Sequence, residues 1–181
     1  GQSDNNPSTP FLRYSPDGRL FAIWTEADHS SSSHKTQSAM HQHHRSGKMA
    51  PSPMRNTLLA ASIDGGKTWS WIKQVNRSVE AIQEEENGPK VAFGVNNKAY
   101  AVWSIPGGKG DKTRANIRFA MEDEKGGFSP TRTINEVRDA ARFPIIEISP
   151  DGNVLLAWID RRIDNPKPRQ LYMMKLGSGR K

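Results

Sequence analysis

This chain carries short runs rich in apolar residues, some alternating with polar ones, and the runs stop at clusters of turn-forming residues. One run is Trp69-Ser70-Trp71-Ile72-Lys73-Gln74-Val75, and Asn56-Thr57-Leu58-Leu59-Ala60-Ala61 precedes it. A period of two marks a strand with one buried face. Between the runs, Gly65 and Gly66 supply the positive φ that a tight turn needs. Together these segments predict a β-hairpin.

The pattern repeats. Phe11-Leu12-Arg13-Tyr14-Ser15-Pro16-Asp17-Gly18-Arg19-Leu20-Phe21-Ala22-Ile23-Trp24 recurs from Ile145 to Trp158, and a middle copy runs from Lys90 to Trp103. Each copy predicts a strand, a polar turn and a second strand ending in tryptophan. Pro10, Pro89 and Pro144 precede the copies, and each is expected at the first residue of its strand, where a missing N–H costs no ladder bond. Third strands are predicted over 56–62, 115–121 and 170–176, and fourth strands over 69–76 and 128–135. The units are therefore 10–76, 89–135 and 144–176, the last without its outer strand. Residues 1–9 read as a polar, disordered lead-in to a single domain over 10–181.

Ser62-Ile63-Asp64-Gly65-Gly66-Lys67-Thr68-Trp69 resembles the Asp-box, S-x-D-x-G-x-T-W, of sialidase-like (BNR-repeat) β-propellers. Ser62, Asp64, Gly66, Thr68 and Trp69 are its structural residues: short polar side chains bond the turn and the indole covers the hairpin. A weaker copy over 121–129 keeps the spacing from Asp123 to Phe128, but Met121 cannot make the hydrogen bond that Ser62 can. The resemblance implies an all-β, partial sialidase-like propeller of about three four-stranded blades, the last incomplete. A six-bladed ring needs about twice this length. The open sides are then expected to be covered by another protein or by further blades.

In that family the substrate end is built from the connections between second and third strands and between blades; the Asp-box turns lie at the other end. Segments 26–55, 77–88, 105–114, 136–143 and 160–169 would gather at the substrate end. The first is a long insertion of about 30 residues against about ten in the others. It holds all the histidines, of which His41, His43 and His44 are close enough to be candidate metal ligands. No acidic or cysteine partner stands beside them in a ligand motif. No metal or other cofactor is therefore expected, and the insertion reads as a flexible polar insertion or as a segment that orders against a partner.

Arg142-Phe143-Pro144 resembles the family's Arg-x-Pro motif, whose arginine binds the substrate carboxylate; a guanidinium suits that work because it pairs a carboxylate through two bonds. Asp160 is a candidate acid, and Arg142, Arg161 and Arg162 are candidate carboxylate-binding cations. A retaining sialidase also needs further arginines and a tyrosine nucleophile activated by Glu. Tyr14, Tyr100 and Tyr172 all fall inside predicted strands, and Glu84-Glu85-Glu86 reads as a solvated run. The catalytic set does not assemble. The expected role is a non-catalytic module for protein binding and assembly, with half of an exo-sialidase or related glycoside hydrolase as the alternative and an acidic-glycan lectin as the second.

Charge and composition narrow the partners. The net charge of +7 suits anionic surfaces, including acidic glycans. No Lys/Arg run or nucleic-acid module is present, so no nucleic-acid partner is expected. The absence of cysteine excludes disulfides and thiolate metal sites. No apolar run approaches the roughly 18 residues of a membrane span, and no secretory apolar segment is present. The expected setting is extracytoplasmic, periplasmic or secreted, with a signal sequence outside this chain and a membrane-associated complex among the expected partners.

Overall fold

The computed structural model describes residues 6–28, 54–108, 114–162 and 169–177. Within them the chain is all-β, with three antiparallel sheets. The first contains β1 (Ser8–Tyr14), β2 (Leu20–Ala27), β3 (Met54–Ser62) and β4 (Ser70–Gln74) in that order, and β5 (Glu80–Ala81) also pairs with β3. After a short 3-10 turn at Glu85–Asn87, the second sheet runs β6 (Lys90–Phe93), β7 (Ala99–Pro106), β8 (Ala115–Met121), β9 (Arg132–Thr133). The third runs β10 (Ala141–Ile148), β11 (Val154–Asp160), β12 (Gln170–Leu176).

The opening hairpin of each sheet turns in the same way. The Ser15 N–H donates to the Arg19 carbonyl at 2.9 Å and the Gly18 N–H to the Ser15 carbonyl at 2.9 Å. Ser149, Gly152 and Asn153 repeat that pair, and so do Gly94, Asn97 and Lys98. The fourth turn residue must be left-handed: Gly18 has φ +83°, Gly152 +82° and Asn97 +61°. Asparagine is the residue that replaces glycine there at least cost.

Two of the three prolines differ from expectation, while Pro89 stands directly before β6. Ser8 pairs with Thr25 and then Phe11 with Ile23, so Thr9 and Pro10 together oppose Trp24. Arg142 pairs with Ile159 and then Ile145 with Ala157, so Phe143 and Pro144 oppose Trp158. Pro10 and Pro144 thus sit at bulges inside their strands, where the extra residue needs no ladder partner. The bulges bend the backbone hard, with φ +51° at Thr9 and +57° at Phe143. β1 also begins at Ser8, inside the stretch expected as lead-in. β9 is shorter than the predicted fourth strand, and Pro130, which cannot donate to the ladder, separates it from an isolated pair between Glu122 and Phe128.

The sheets pack face to face in chain order. Phe21, Ile23 and Leu59 of the first sheet bury against Val91, Phe93, Ala101 and Trp103 of the second. The rings of Phe21 and Phe93 meet at 4.3 Å between centroids. Val102, Ile117 and Phe119 on the opposite face of the second sheet bury against Ile146, Leu156 and Trp158 of the third. The middle sheet is therefore apolar on both faces, and burying a side chain such as Phe119 contributes about 3 kcal/mol. The first strands β1, β6 and β10 neighbour one another in turn, and Arg13 of β1 pairs with Glu147 of β10. The two outermost faces stay bare: Leu12, Tyr14 and Ile72 on the first sheet, and Ile145, Leu171 and Met173 on the third, are each more than half exposed.

Candidate functional site

The strands divide the molecule into two ends, one carrying the hairpin turns and one carrying the longer connections. At the turn end, the hairpin between β3 and β4 is held by two side chains. The Ser62 hydroxyl donates to Asp64 Oδ1 at 2.7 Å and accepts the Gly66 N–H at 2.8 Å. Asp64 accepts the Thr68 N–H at 2.9 Å and the Thr68 hydroxyl at 2.6 Å. Chiefly the Thr68 hydroxyl, then the Thr68 N–H and Ser62, hold the Asp64 carboxyl down to about 2. Gly65 and Gly66 are left-handed, at φ +74° and +92°. Trp69 lies over Gly66, where an added Cβ would meet its ring at 3.6 Å.

The second copy folds by a different turn. Asp123 still accepts an N–H four residues on, from Gly127 at 3.0 Å. Its backbone, however, bonds as in the Ser15 turn: Asp123 N–H to Gly127 carbonyl at 2.8 Å, Gly126 N–H to Asp123 carbonyl at 3.1 Å. The left-handed glycine has moved to Gly126. Gly127 stands where the first copy has Thr68, so the hydroxyl donor is gone.

At the opposite end each sheet's tryptophan donates its indole N–H to a carboxylate. Trp24 bonds Glu26 at 2.9 Å, Trp103 bonds Glu80 at 2.9 Å and Trp158 bonds Asp160 at 3.1 Å. In the middle sheet Ile105 occupies the position two beyond the tryptophan, and Glu80 of β5 supplies the carboxylate from the preceding connection. Arg118 completes that cluster through Nε at 3.0 Å. Two buried asparagines staple the sheets at the same end. Asn76 accepts the Thr57 N–H at 2.7 Å and donates to the carbonyls of Arg55 and Ser78. Asn135 accepts the Ile117 N–H at 2.8 Å and donates to the Val137 carbonyl at 2.7 Å. Both end the predicted fourth strands, and their matching positions are the signal that could have found them.

Asp160 is fully enclosed. Beside Trp158 it accepts the Arg162 N–H at 2.8 Å and that guanidinium at 3.0 and 3.2 Å. Arg162 in turn lies over the Tyr172 ring at 3.6 Å and reaches Glu136 at 3.6 Å. Arg161 is half-buried, its N–H on the Ala140 carbonyl at 2.8 Å. Arg142 is elsewhere. It pairs with Ile159, whereas Asp160 pairs with Ala141, so Arg142 and Asp160 point to opposite faces of the third sheet. The Arg142 guanidinium lies over the Phe143 ring at 4.6 Å, and its Nε is buried without a partner among the described residues. Arg142 therefore does not converge with Asp160 and Arg162.

The glutamate run is not simply a solvated face. Glu84 bonds the guanidinium of the buried Arg55 at 2.6 Å, and Arg55 also holds the Asn6 carbonyl at 3.1 Å. Glu85 is left-handed, at φ +58°. Tyr14, Tyr100 and Tyr172 lie in β1, β7 and β12. No three metal-ligating side chains come together among the described residues, and His41, His43 and His44 lie outside them. Each carboxylate of the Trp103 and Trp158 clusters already holds an arginine and an indole. The arrangement braces strands.

No family model matches the chain, and no curated protein does. Solved structures do. One, a protein of unknown function from Dyadobacter fermentans DSM 18053, superposes with a TM-score of 0.58 at 13% identity, over 96% of this chain and 48% of that one. The chain thus spans about half the length of the structure it matches, and the likeness bears on the fold.

Proposed function

We propose that the chain is a partial sialidase-like β-propeller whose blades are the three sheets, and that it works as a non-catalytic module for binding and assembly with another protein. The Asp64 hairpin, the repeated meander and the adjacency of β1, β6 and β10 support the propeller reading. A single observation carries the non-catalytic reading: the candidate acid Asp160 spends its oxygens on Trp158 and Arg162. A general acid must instead face the group it protonates. The proposed extracytoplasmic setting as an accessory subunit rests on the family resemblance. The test is incubation of the purified chain with a fluorogenic sialoside. No release above the uncatalysed rate is expected, and turnover abolished by Asp160→Asn would sink the reading.

A second reading, an acidic-glycan lectin, is favoured by Arg142, whose part-exposed side chain would offer its guanidinium to an anionic sugar. Binding on a glycan array that disappears with Arg142→Ala supports this reading; binding that survives the substitution removes it.

A further inference from the structure

The tryptophans set the three sheets in register. Trp24 pairs across to Leu58, Trp103 to Arg118 and Trp158 to Tyr172. One residue on, Leu59, Phe119 and Met173 are equivalent. Leu59 is 3% exposed beneath the second sheet and Phe119 1% beneath the third, but Met173 is 66% exposed. Leu12, Val91 and Ile146 are equivalent in the same way, paired to Ala22, Ala101 and Leu156. Val91 and Ile146 are buried against the preceding sheet, and Leu12 is bare. Each sheet thus has a leading face, laid on its predecessor, and a trailing face, laid on its successor. The first sheet's leading face and the third sheet's trailing face are uncovered. They are the two halves of an interface the molecule already makes twice.

We infer that a second copy of this chain covers both faces, pairing head to tail so that the trailing face of each third sheet receives the leading face of its partner's first sheet. This pairing gives a specific form to the assembly role proposed above and rests on it. A two-fold axis joins both pairs of faces at once and closes the set of sheets. A face-to-face pairing of like surfaces would put leading face on leading face, a contact with no counterpart in the molecule. Apolar faces of this kind on a soluble chain otherwise invite disordered association.

Light scattering of the purified chain across a concentration series tests the pairing. The expected species has twice the 20.2 kDa mass of one chain. Leu12→Glu alone and Met173→Glu alone should each give monomers with unchanged circular dichroism. Mixing the two should restore the dimer, because the mixture keeps one interface with both faces intact. Ile72→Lys and Leu171→Lys repeat the design if a glutamate variant loses its spectrum. A monomeric parent chain, an open series of larger species, or one variant that still dimerises alone would overturn the proposal. The sialoside assay is independent of it: an inactive monomer refutes the pairing alone, and an active dimer refutes the non-catalytic role alone.

Discussion

The two ends of the molecule differ in how they hold polar groups. At the turn end four aspartates are served by neighbours within a few residues: Asp17 by Ser15 and Arg19, Asp64 by Ser62 and Thr68, Asp123 by Lys125 and Gly127, Asp151 by Ser149 and Asn153. The left-handed positions there are glycine or asparagine. At the other end some partners lie two residues apart, as with Trp24 and Glu26 or Trp158 and Asp160, and others are distant in sequence, as with Trp103 and Glu80 or Arg55 and Glu84. Left-handed residues there include Thr9, Glu85, Asp139 and Phe143. Thr9 Oγ1, Arg55 Nε and Arg142 Nε are buried with no partner among the described residues. Locally satisfied turns need nothing beyond themselves. Strained backbone and orphaned polar atoms persist where surrounding structure or a partner demands them.

Breaking the Asp160 cluster should give the largest effect. Asp160→Ala strands a buried indole N–H and an arginine, and is expected to cost about 3 kcal/mol in urea unfolding. A loss well under about 1 kcal/mol would mean the cluster is not a brace. Relieving strain should do the reverse. Glu85 is exposed and left-handed, so Glu85→Gly is expected to raise stability by about 1 kcal/mol. A decrease would show that its side chain is needed. The turn end should respond least. By NMR titration the Asp64 carboxyl should show a midpoint of about 2, against an ordinary 3.8. Because the folded value is depressed, its bonds stabilise the fold fully above pH 3.8 and lose that contribution as pH falls towards 2. Thr68→Val should move the midpoint up towards 3.8, and an unmoved midpoint would remove Thr68 as the main cause.

Much of the strand order was legible in the sequence because its signals are local. β8 and β12 begin and end where alternation places them, and the Ser-Pro-Asp-Gly turns carry their conformation in four residues. The bulges were not legible. A proline without an N–H suits a strand's first residue and a bulge equally, and only the pairing across to Trp24 and Trp158 separates them. Alternation could also not tell a strand-forming tail from the interrupted one at Pro130. At the candidate site, Asp160 and Arg162 were legible as charged neighbours. Their mutual pairing depends on β11 ending there beneath Trp158. Arg142 was legible as a motif residue, but the face it takes is decided by its pairing with Ile159.

Within every sheet the main pairings join strands consecutive along the chain, and each sheet packs on the next one made. Closing such loops costs little entropy, so folding can advance hairpin by hairpin during synthesis. The second sheet is the vulnerable step: until β10 to β12 emerge from the ribosome, Val102, Ile117 and Phe119 face water. A pause in translation after Asn135 would leave that surface for a chaperone to hold.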